Sequence, residues 1–128
     1  MRAIGIFVLL AFVALVASDA FAETLTMSLP GKMVRVTTQN VGGVEVSKGC
    51  LNKKGKQPAC DAYKALSKKA SPKSANVPLA GHPAAFYCGS AGGLNRILKD
   101  SKNNEYDFCE FKDGSMINSW HLYNKAKK

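Results

Sequence analysis

Four cysteines, Cys50, Cys60, Cys88 and Cys109, limit what this chain of 128 residues can fold into more than any other feature. Their meaning depends on the N-terminus. The opening run MRAIGIFVLLAFVALVASDAFA sets Arg2 before the apolar segment Ile4 to Ala17 and ends in Ala20-Phe21-Ala22, the small-residue pattern of a cleaved secretory signal. Ser18 and Asp19 break the apolar run before it reaches the roughly 20 residues of a transmembrane helix. Residues 1–22 are therefore expected to be removed near Ala22, leaving a periplasmic or secreted protein that begins at Glu23.

In an oxidising compartment, four cysteines form two disulfides by default, and three pairings are open. Cys50 with Cys60 and Cys88 with Cys109 each close a short loop within one half of the chain and are the expected pairs. In the chain-entropy model each such loop is worth on the order of 3 kcal/mol, a large share of a small domain's stability. The rival use of cysteine, a zinc site, finds no C-x-x-C pair, and His82 and His121 show no ligand spacing. No metal and no cofactor are expected.

The local patterns predict an α+β fold. KMVRVTTQ and VEVS, separated by NVGG, read as a β-hairpin. CLNKKGKQPAC is a lysine-rich loop leading to a helix with Pro58 near its first turn and an apolar face of Ala62, Tyr63, Ala65 and Leu66. SPKSANVPLAGHP, with Pro72, Pro78 and Pro83, reads as a linker. Beyond it, His82 can cap a helix that has Pro83 at its first position and Gly92-Gly93 as its stop. LNRILKD and EYDFCEF then make a hairpin through SKNN, and Ser115 can cap a last helix whose stripe is Met116, Ile117, Trp120 and Tyr123. The expected organisation is a signal peptide (1–22), a β-hairpin and lysine-rich helix segment (23–71), a linker (72–81) and a stapled domain (82–128). In that domain a helix, a β-hairpin and a C-terminal helix pack Phe86, Phe111, Ile117 and Trp120 around Cys88 and Cys109.

Along residues 81–125, the order of features resembles the bacterial domain-of-unknown-function family 333, often labelled hemolysin-like. The positions that carry the resemblance are Pro83, Cys88, Gly92, Gly93, Cys109, Phe111, Asp113, Gly114 and Trp120. The chain departs from the family in having Ile117 where members carry a further cysteine, and a lysine tail where another follows the last helix. The resemblance implies that the second family disulfide is missing and brings no catalytic residues with it.

Function classes narrow accordingly. Nucleophilic catalysis needs a positioned base, and neither histidine sits beside a Ser or Asp motif, so His82 reads as a cap and His121 as a surface helix position. Glu105, Asp107, Glu110 and Asp113 could mimic the carboxylate pair of a glycosidase but read more simply as hairpin decoration. No enzyme is expected. The net charge of +9 rests on lysine, with only Arg35 and Arg96 as arginines beyond the leader, which argues against bidentate nucleic-acid readout.

Lys48, Lys53, Lys54, Lys56, Lys64, Lys68, Lys69 and Lys73 gather around the single carboxylate Asp61 and would attract an anionic glycopolymer, an acidic protein or a membrane surface. The candidate partner-binding residues are Lys53, Lys54, Lys56, Lys68 and Lys69, with Asn103 and Asn104 in the loop KDSKNNEYD. The expected protein is a monomeric, exported, non-enzymatic binding domain of the cell envelope, with an inhibitor-like role. The alternative is a membrane-active, hemolysin-like protein that binds anionic lipid.

Overall fold

The computed structural model describes residues 22–51, 59–68 and 82–126. The expected signal peptide (all but Ala22) and linker, together with Lys53, Lys54, Lys56 and Lys69, lie outside them.

The expected α+β arrangement is overturned: the fold is a closed six-stranded antiparallel barrel with short helices on its outside. Its strands are β1 (Glu23–Leu29), β2 (Lys32–Val41), β3 (Val44–Ser47), β4 (Leu94–Lys99), β5 (Glu105–Glu110) and β6 (Met116–Asn118). They run around the barrel in the order β1-β2-β3-β6-β5-β4, and β1 returns to β4. Two strands missing from the expectation make the difference. ETLTMSL alternates strictly, with Leu25 and Met27 buried between polar neighbours, and turns into β2 at Pro30-Gly31, where Gly31 takes φ +77°. MIN, expected to open a helix at Ser115, is instead β6, paired with both β3 and β5. With both added, the two hairpins become one sheet that can close and so remove most of its edges.

The β2–β3 turn has positive φ at both Gly42 and Gly43, as a tight hairpin requires, and Asn40 Oδ1 accepts the Gly43 N–H. After β3, a 3₁₀ turn (Lys48–Cys50) leads to α1 (Asp61–Lys64), with the Cys50–Cys60 disulfide joining the two. His82 caps α2 (Pro83–Ser90), which stops at Gly92 with φ +91°. The second disulfide joins Cys88 of α2 to Cys109 of β5. Gly93 passes so close to it that an added Cβ would collide with Cys109 Sγ and lie 3.1 Å from Cys88 Sγ. Helix α3 (Ser119–Ala126) is the last element of the described residues.

The strand period of two divides the apolar residues between two cores. Leu25, Met27, Leu98, Phe108 and Met116 fill the barrel, while Val44, Val46, Cys88, Cys109, Ile117 and Leu122 lie between its outer face and the helices. One step along β5, from Phe108 to Cys109, or along β6, from Met116 to Ile117, crosses from one core to the other.

Candidate functional site

The outer face of the β4–β5 hairpin carries a polar chain beneath α2 and α3. His82 Nδ1 accepts the Ala85 N–H at 3.0 Å, and its Nε2 meets Asp107 Oδ2 at 2.9 Å. Asp107 Oδ1 accepts from Asn95 Nδ2 at 2.9 Å, and Asn95 Oδ1 accepts from the Ser119 hydroxyl at 2.6 Å. Histidine, aspartate and serine thus share one network, but in an order that does not activate a nucleophile. Ser119 is fully buried and bonds Asn95, and Nδ1 of His82 already holds a backbone N–H. The chain ties two helices to the barrel wall. Only the His82 cap was legible in the sequence; its pairing with Asp107 depends on the fold.

Above this network lies an aromatic face. His82 and Trp120 have ring centroids 4.8 Å apart, Trp120 and Tyr123 5.9 Å, and Tyr87 and Tyr123 6.2 Å. Phe86 is 40% and Trp120 39% exposed, which corrects the expectation that both pack in the core. The reason is phase. Helix α3 starts at Ser119, so Ser119 and Leu122 take its buried side and Trp120 turns to the flank. A shallow depression of about 590 Å³, lined by His82, Ala85, Phe86, Gly89 and Ser90, continues this face along α2.

His121, expected at the surface, is half-buried at one end of the barrel, where its Nδ1 accepts the Glu45 N–H at 2.9 Å. The Glu45 carboxylate accepts from Thr38 Oγ1 at 2.7 Å. Burial holds the imidazole below its ordinary value of 6.5, against the opposing pull of Glu45. Protonation would also place a proton on the accepting nitrogen. The folded state therefore binds fewer protons than the unfolded chain, and this contribution is complete above pH 6.5 and lost as pH falls through the lower folded value. We expect urea midpoints to fall between pH 7 and 5 for the native chain and to change less for His121→Gln. Parallel midpoint profiles would remove this role.

Glu105, Asp107, Glu110 and Asp113, grouped in the sequence, are engaged separately in the fold. Glu105 meets Lys99, Glu110 meets Arg96, and Asp107 joins the network above. Asp113 accepts the Asp61 N–H at 2.8 Å, together with the Ser115 N–H and hydroxyl. Burial, the largest single influence, pushes the Asp113 carboxyl up, but these bonds together hold it below the ordinary range.

Of the expected partner-binding residues that are described, Lys68 is exposed beside a small cleft with Lys64 and Lys112. Asn104 is structural: its side chain and N–H bind Asp100, whose carboxyl is held down chiefly by the Asn104 side chain. Asn103 sits in the left-handed region at φ 63° and lines a cavity at the barrel seam.

That seam was invisible in the sequence. β1 and β4 register at one pair, Thr26 with Lys99, where Thr26 Oγ1 donates to the Lys99 carbonyl at 3.4 Å. Beyond it the strands part around a cavity of about 670 Å³. Its lining includes inward-facing Met27 and Arg96 together with outward-facing Ser28, Asn95 and Ile97. The cavity thus takes in both alternations of the two strands where their registration ends. A second cavity, also about 670 Å³, enters the barrel mouth over Met27, Val34, Val36 and Met116, with Lys48 and Asp113 on its rim. Among the described residues no group of three or more His, Cys, Asp or Glu side chains is set to hold a metal ion, and no helix is long and apolar enough to cross a membrane.

Comparison with known proteins finds a match of residues 80–126 to the family model for the domain of unknown function DUF333. No curated protein and no solved structure matches the chain.

Proposed function

We propose, from the premise that residues 80–126 belong to the domain-of-unknown-function family DUF333, that the chain is an exported, non-enzymatic binding domain of the cell envelope. Its partner is a protein held against the aromatic face of α2 and α3. The observation that carries the reading is the exposure of Phe86 and Trp120 around His82, whose ring is fixed by its bonds to Ala85 and Asp107. Aromatic side chains anchored on a rigid scaffold give large contact area at small entropic cost. The apolar leader run and the two disulfides favour an oxidising compartment. The net charge of +9 favours acidic partners.

The experiment compares the native domain with Phe86→Ser and Trp120→Ser, each immobilised in envelope extract. Both changes fall on exposed positions and should leave the fold intact. A protein retained by the native domain and lost from both variants is the expected result. Equal retention by all three, or leakage of anionic vesicles at micromolar protein, would count against the reading, and leakage would favour the membrane-active alternative.

A further inference from the structure

We propose that the parted seam between β1 and β4 accepts an extended segment of a partner polypeptide that carries a carboxylate between two apolar side chains. This site lies on the barrel wall and stands independently of the aromatic face. Its first support is the strand edge. Because the Lys99 carbonyl faces Thr26, the alternation of backbone direction along β4 aims the N–H and C=O of Ile97 and Asn95 toward β1 as well. Registration ends at Thr26, so these groups have no ladder partner among the described residues. Strand edges without a ladder partner are covered or blunted in native proteins, or they recruit a strand from elsewhere.

The second support is Arg96. It enters from an inward-facing position, reaches Glu110 through Nη2 at 3.3 Å, and leaves Nε buried without an acceptor among the described residues. The rest of the guanidinium is partly exposed, but a donor left buried without an acceptor is costly, and an anionic oxygen entering the seam would satisfy it. A strand laid in the seam would alternate inward and outward. Its inward side chain would meet Arg96 and Met27, and its outward neighbours would meet Ile97 and Met33, which are 53% and 65% exposed. An acidic residue flanked by apolar ones fits that order. The open length of β4, from Leu94 to Leu98, matches about five extended residues, or roughly 16 Å.

The test titrates the isotope-labelled, disulfide-bonded chain with the peptide Ac-Thr-Val-Glu-Val-Thr-amide. The expected result is a set of amide shifts and slowed exchange at Asn95 and Ile97, with a shift of the Arg96 Nε resonance. Replacing the peptide's glutamate by glutamine should weaken binding about tenfold, and methylating alternate peptide nitrogens should abolish it. Ile97→Lys, at an exposed position, should weaken binding while leaving the remaining spectrum unchanged. Arg96→Gln should erase the preference for glutamate; if that variant does not fold, the paired peptides still decide the matter. No shift at millimolar peptide, equal binding of all three peptides, or shifts confined to α2 and α3 would overturn the proposal.

Discussion

Replacing Cys88 and Cys109 together by serine is expected to lower stability by about 2–5 kcal/mol. The bond joins residues 21 apart, so its loss returns a substantial loop entropy to the unfolded chain. The folded state suffers as well. Both residues are fully buried in the core between barrel and helices, beside Ile117, Leu122 and Phe111, where two serine hydroxyls would sit in an apolar setting. Since α2 is only eight residues long and is positioned by this bond and the His82 contacts, its hold on the barrel should loosen first. Urea denaturation of native and double-variant chains is the direct measurement, with amide exchange in α2 as the local readout. A loss below about 1 kcal/mol with unchanged α2 exchange would mean that the helix is seated without the disulfide.

Phe108→Ala is expected to cost about 3–5 kcal/mol, because it empties the centre of the other core. Phe108 is fully buried, points inward from β5, and pairs across the sheet with Arg96 on one side and Asn118 on the other. Leu25, Met27, Leu98 and Met116 close around it from three other strands, so the cavity left behind cannot collapse without moving the barrel wall. Thermal and urea midpoints of the variant measure the loss. A cost near that of an exposed substitution, within about 0.5 kcal/mol, would be incompatible with a filled barrel.

How much of this was legible varies from element to element for physical reasons. The α2 helix was legible at both ends because its signals are local: a capping side chain at His82, the fixed φ of Pro83, and glycine where the backbone turns left-handed. The β2–β3 and β4–β5 hairpins were legible through their glycine and Asp-Asn turns. β6 was lost because Met116-Ile117-Asn118 continues smoothly into Ser119, and a helical stripe can be drawn through both. The strand forms because β3 and β5 lie on either side to pair with it. β1 had a usable signal, the alternation of Leu25 and Met27 with threonine and serine, running into Pro30-Gly31.

The candidate site divides in the same way. His82 as a cap belongs to its own helix, whereas its pairing with Asp107, the outward turn of Trp120 and the bond between His121 and the Glu45 N–H all join residues from different elements. The sequence by itself determined the turns, the helix ends and the residues able to staple the chain, since each depends on neighbours a few positions away. Closure of the barrel, the division of its strands between two cores, and the placing of Arg96 against Glu110 beside the β1–β4 seam were decided only by tertiary structure. Each depends on which strand lies beside which, and pairings such as Thr26 with Lys99 or Val46 with Ile117 span more than 70 residues, beyond any local pattern.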